Sequence, residues 1–185
     1  NMSFGEMGYG DPPNENLEGM PFIFLFRKLM RESNNLDDAT RIIKSVTRTC
    51  SYIYVITDAK TTDPSKKAAL YVTDRGRVRV ITENTNLKDE RDSDEYPAFN
   101  NVVYGGAKAK ALQDNLAKYH GKITPEVLME ITKEISLESN VQNVIFAQET
   151  LDAWVSTAGS ASGDRGRACN QKWIHFDFGA VIRNR

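Results

Sequence analysis

Residues 52–56, Tyr-Ile-Tyr-Val-Ile, constrain the fold most, because β-branched and aromatic side chains would occupy both faces of an extended chain here. A strand apolar on both sides must be covered on both sides, so the run predicts an internal strand in a layered fold. Before it, Phe22, Leu25, Phe26, Leu29 and Met30 recur at helical spacing. They predict a helix from about Pro21 to Glu32, with Pro21 in the first turn and basic residues toward the end. Asn35 is placed to cap a second helix, with Asp38 near its first turn and Ala39, Ile42, Ile43 and Val46 on one stripe up to about Thr47. After the run, Ala69–Thr73 and Val78–Thr82 flank Asp74-Arg75-Gly76 and read as a hairpin, which completes a three-stranded meander.

The same order then repeats. Gly105-Gly106 precede a helix carrying Ala107, Ala111, Leu112 and Leu116 that is expected to end near His120, with Gly121 just beyond it. Thr124 and Pro125 supply the cap and first position of another, whose buried face is Val127, Leu128, Ile131 and Ile135. Strands are expected at 144–146, 151–155 and 173–178, separated by the polar turn Gln148-Glu149-Thr150 and a Gly/Ser-rich loop. Paired helices between runs of strands argue against a doubly wound parallel sheet. The expected class is α+β: an α-β-β-α sandwich of two mainly antiparallel sheets covered by helix pairs. Gly8–Asn16 and the charge run Lys88–Glu95 read as loops.

With 185 residues, the chain is sized for a single domain. A content of 40% hydrophobic and 26% charged residues with net charge -1 argues against a disordered chain, a disulfide scaffold or a strongly basic nucleic-acid binder. It gives no bias toward anionic ligands. The longest apolar stretch, Met20–Phe26, is far short of the roughly 20 residues that span a bilayer, so no membrane partner is expected. Cys50 and Cys169 show no paired metal-ligand spacing, and they do not reveal the compartment, cytoplasmic or secreted. The opening Asn1-Met2-Ser3-Phe4-Gly5 reads as a start inside an element, with sequence expected upstream.

Few residues suggest chemistry on their own. Gly5, Gly8 and Gly10 lack the dinucleotide-binding spacing and are expected to serve close backbone approach and positive φ at a strand end, in a loop that can line a site. A Cys/His pair would require Cys50 or Cys169 to meet His120 or His175, for which the sequence gives no sign; structural roles are expected for both histidines and for Cys50. Asn84-Thr85-Asn86 directly follows an expected strand, where a carboxamide can donate toward a developing oxyanion or simply close a turn. Asn140 and Asn143, bracketing a later strand, are read as turn formers. No metal or cofactor is expected.

Several stretches together resemble the isopenicillin-N acyltransferase-like family (acyl-coenzyme A:6-aminopenicillanic acid acyltransferases) of N-terminal-nucleophile cysteine hydrolases. They are Phe4-Gly5-Glu6-Met7-Gly8, Glu18–Arg27, Leu36-Asp37-Asp38-Ala39 and Arg48-Thr49-Cys50-Ser51-Tyr52 with Asp58, followed more weakly by Val102-Val103-Tyr104, Ser139–Asn143 and Phe176-Asp177. The resemblance implies an α-β-β-α sandwich and an autoprocessed amide hydrolase or acyltransferase acting on a small amide or acyl substrate. An N-terminal cysteine attacks, and its α-amine is the general base. It implies an oxyanion asparagine, with Asn86 the first match and Asn84 the second, the family's leading histidine being absent. It further implies substrate-binding positions at Glu6, Met7 and Tyr9, where the side chains at 6 and 7 do not match and only the backbone could aid the oxyanion. The family's nucleophile lies upstream of the matching part, so the chain is expected to be a C-terminal part, inactive alone, whose partners are the preceding polypeptide and the substrate. An unpaired sheet edge and self-association are expected of it. The alternatives are a non-catalytic binding or scaffolding relative and a hydrolase built on Cys50 or Cys169.

Overall fold

The computed structural model describes residues 2–8, 15–83, 85–88, 95–106, 108–160 and 166–183. They are α+β, with antiparallel sheets of four and three strands, a two-stranded antiparallel ladder and five α-helices among the described residues. The chain divides into two compact units, Asn1–Gly106 and Ala107–Arg185.

The first unit runs β1 (Met2–Gly8), α1 (Phe22–Glu32), α2 (Leu36–Ser45), β2 (Tyr52–Asp58), β3 (Ala68–Thr73), β4 (Val78–Ile81), β5 (Leu87–Lys88) and β6 (Glu95–Tyr96). The first four strands form one sheet in the order β1-β2-β3-β4, every pair antiparallel, so β2 is internal as its two-sided apolarity demands. On one face Tyr54, Ile56, Ala69 and Tyr71 pack with Leu25 and Leu29 of α1 and Leu36, Ala39, Ile42 and Ile43 of α2. On the other, Ile53, Leu70 and Ile81 are buried as well. Phe22 stacks on Tyr52 with centroids 4.3 Å apart, and Thr40 Oγ1 meets Tyr71 Oη at 2.8 Å, tying each helix to the sheet. Asn35 caps α2 through its Oδ1, which accepts from Asp38 N–H at 2.8 Å.

Several expectations are corrected. The meander has a fourth member, β1, which ends the loop expectation at Gly8. Neither Gly5 nor Gly8 has positive φ; both lie in β1. The glycine that needs its freedom is Gly19, with φ of 152°, where a Cβ would come within 2.8 Å of the Arg48 carbonyl group. Pro21 stands at the N-cap rather than inside α1. The two ends of the charge run are paired, Leu87 with Tyr96 and Lys88 with Glu95, while residues 89–94 and the loop positions 9–14 lie outside the described residues.

The second unit runs α3 (Ala109–Tyr119), α4 (Pro125–Ile135), β7 (Gln142–Ala147), β8 (Asp152–Thr157), β9 (Ile174–Asp177) and α5 (Phe178–Arg183). Its sheet order is β7-β8-β9, again antiparallel. Gly121, at φ of 76°, follows the α3 cap at His120, and Thr124 Oγ1 accepts from Val127 N–H at 3.3 Å to start α4. Of the four apolar positions expected inside α4, only Ile131 is fully buried; Val127, Leu128 and Ile135 are half-buried. Buried Asn115 joins the two helices by donating to Glu134 Oε2 at 2.8 Å.

Candidate functional site

Arg48 shows how the first unit is fastened. It is 1% exposed, and its guanidinium donates to four carbonyl oxygens: Ile43 at 2.6 Å and Val46 at 2.9 Å at the end of α2, and Asp74 at 2.6 Å and Arg77 at 3.0 Å in the β3–β4 turn. Burial pulls its pKa below that of a free guanidinium. The carbonyls at a helix C-terminus carry the negative end of the dipole, which suits the cation. The backbone of Arg48 also bridges Met20, and this contact requires the close approach at Gly19. Gly19, Met20 and Arg48, from two of the resembling stretches, therefore meet in one structural joint.

A cleft of about 450 Å³ lies beside that joint, lined by Glu15, Asn16, Thr47, Asp74, Arg75, Gly76 and Arg77. Asp74 accepts from the N–H groups of Gly76 at 2.9 Å and Arg77 at 2.7 Å and from Arg77 Nε at 2.7 Å. Partial burial alone would raise its pKa, but these donors outweigh it and hold the carboxyl below the usual range.

Asn86 stands directly before β5. Its Oδ1 accepts from Ala98 N–H at 3.0 Å, just after β6, so the side chain closes the base of the β5–β6 ladder and the NH₂ is the end directed away from that contact. Asn86 is exposed. Tyr104 anchors the returning segment, donating to the Pro97 carbonyl at 2.7 Å and packing edge-on to Phe99. A cavity of about 50 Å³ sits near where β4 leaves the sheet, between Pro64, Lys67, Ala68, Glu83, Asn101 and Val103. Asn101 lines it in a left-handed conformation with φ of 60°, which sequence reading did not single out.

Asn84 and Tyr9 lie outside the described residues. Glu6 and Met7 pair through their backbones with Tyr54 and Ile53 on β1, the edge opposite β4. Three strand spacings, about 14 Å, separate those edges, so the sheet does not bring Glu6 or Met7 to the strand that leads to Asn86.

In the second unit, Asn140 and Asn143 exchange amide hydrogen bonds at 3.0 and 2.9 Å, Asn143 donates to buried Ser156 Oγ at 3.3 Å, and Asn140 Oδ1 accepts from Cys169 N–H at 2.9 Å. These side chains knit β7, β8 and the turn at Ala168–Asn170 together, a wider duty than turn formation. Cys169 is 1% exposed and unsuited to meet a substrate; Cys50 is half-buried beside Thr49 Oγ1 at 3.5 Å in the other unit. His175 stacks on Trp154 with centroids 4.8 Å apart, and its Nε2–H donates to Asp152 at 2.7 Å. Hydrogen bonds from Thr150 and then His175 hold the Asp152 carboxyl below its usual pKa. Among the described residues no group of three or more His, Cys, Asp or Glu could hold a metal ion, and no helix is long and apolar enough to cross a membrane.

No protein-family model matches the chain, and no curated protein matches it either.

Proposed function

We propose that the chain is the C-terminal part of an autoprocessed N-terminal-nucleophile amide hydrolase or acyltransferase with an α-β-β-α sandwich. It supplies an oxyanion amide and pocket walls, while the attacking cysteine belongs to polypeptide outside this sequence. The observation that carries the reading is the exposed Asn86 carboxamide, fixed just after the first sheet by the 3.0 Å bond that its Oδ1 accepts from Ala98 N–H. Each unit has a helix pair and an antiparallel sheet, which is compatible with that fold, and Gly19 and Arg48 of two resembling stretches meet at one joint.

In this mechanism the cysteine thiol adds to a small amide or acyl carbonyl as the α-amine takes its proton. The Asn86 NH₂ donates to the oxyanion, and collapse expels the leaving group protonated by the ammonium. Water or an acceptor amine then releases the acyl group.

The test uses the intact gene product. Peptide mass mapping should find a cut that exposes an amino-terminal cysteine, and alkylation of that cysteine should abolish amide turnover. Asn86→Ala should lower kcat by about 10²–10³, with a smaller effect on KM. Turnover that survives alkylation of every cysteine refutes the proposal, and so does an Asn86→Ala enzyme with unchanged kcat.

The second reading, a binding or scaffolding relative without chemistry, is favoured by the exposure of Asn86 and its use in closing a ladder. It predicts no cleavage and no turnover in the same assay.

A further inference from the structure

β9 is an edge of the second sheet among the described residues, bonded to β8 on one side. The bond from Phe178 N–H to the Leu151 carbonyl, at 3.1 Å, extends the Asp152–Asp177 register by one residue. Alternation then turns the backbone groups of Ile174 and Phe176 toward β8 and those of His175 and Asp177 outward. All four β9 residues are exposed, and the strand has no lysine, proline or bulge to guard it. Beside it Phe176 stacks on Phe178, both half-exposed, on the same face as exposed Ile174.

We propose that β9 pairs antiparallel with β9 of a second copy of this chain, about a two-fold axis at Phe176. The side chains choose both the partner and the register, an imidazole opposite a carboxylate in place of two like groups. Centred on Phe176, the pairing sets His175 of each copy opposite Asp177 of the other, and joins their outward N–H and C=O groups in about four hydrogen bonds. Centred on His175 or on Asp177, it would set histidine against histidine or aspartate against aspartate. A one-residue slip would face outward backbone groups with inward ones. Edge pairing of a strand with itself is isologous and therefore closes at the dimer. The side chains already stand in place: His175 is held by Trp154 and Asp152, while Asp177 accepts from Ala180 N–H at 2.7 Å and lies 3.9 Å from Arg183. On the opposite face the two Phe176 rings meet across the axis.

Light scattering of the full chain from about 10 μM to about 1 mM should show the mass rising from 20.8 kDa toward twice that value. Phe176→Lys and Phe176→Glu should each abolish the rise, because like charges meet on the axis, and an equimolar mixture of the two should restore it. Far-UV circular dichroism checks that the variants fold. His175→Asp, which sets a carboxylate of each copy against Asp177 of the other, should also lose the dimer and serves if either position-176 variant unfolds. A wild-type mass that stays at 20.8 kDa overturns the proposal, as does a mixture that associates no better than its components.

Discussion

Replacing Arg48 by methionine keeps most of the volume and removes every donor. Four carbonyls lose a charged partner at 2.6 to 3.0 Å; of these, the Arg77 carbonyl keeps the Asp74 N–H at 3.2 Å. At about 1 kcal/mol or more for each buried acceptor left without its donor, partly offset by no longer burying a charge, the net loss should be about 3 kcal/mol. That is a large fraction of the roughly 5–15 kcal/mol that holds a domain folded. Lysine keeps the charge but lacks the planar fork, so Arg48→Lys should lose about half as much. Urea titration followed by far-UV circular dichroism is the assay, with the midpoint expected to fall by about 1–2 M. Tryptophan fluorescence is the wrong probe, because Trp154 and Trp173 both lie in the second unit. A loss below about 1 kcal/mol for Arg48→Met would refute the view that these carbonyls depend on the guanidinium.

Gly19→Ala should destabilise by roughly 2–4 kcal/mol, since it combines a φ that side chains rarely adopt with a Cβ 2.8 Å from the Arg48 carbonyl; calorimetry of the purified variant measures it, and a change within error counts against the joint. The Asp152 carboxyl, lowered in the folded protein, contributes stability that is complete above the unfolded pKa of about 3.9 and is lost as pH falls through the folded value. Carboxyl-carbon NMR titration should therefore find its midpoint below that of a free aspartate, moving up in Thr150→Val and by a smaller amount in His175→Ala. A midpoint unmoved in both variants would mean that those hydrogen bonds do not set it.

What was legible in the sequence was local. The α2 cap, the α4 start at Thr124-Pro125, the β3–β4 hairpin and the internal position of β2 follow from side-chain type and spacing within a few residues. β1 escaped the strand count because Gly5 and Gly8 interrupt its alternation; it exists through pairing with a strand some fifty residues away. Strands β5 and β6 hid in a charge run for the same reason. α5, six residues long with a glycine in its first turn, carries no strong propensity and starts with Asp177 accepting from Ala180 N–H. At the candidate site the position of Asn86 after β4 could be read, but its partner Ala98 could not. The cage around Arg48 draws on Ile43, Val46, Asp74 and Arg77, so an arginine outside any expected element gave no sign of being buried.

The placement of the two thiols gives each half of the chain its own clock. Cys50 belongs to the first unit and Cys169 to the second, and the chain has no other cysteine. In a pulse of alkylating reagent, Cys169 can react only as fast as the Asn140 and Asn143 lattice around it opens, whereas Cys50 starts from a partly accessible position. Digestion and mass spectrometry of one sample would thus time the opening of both halves separately, without any engineered label.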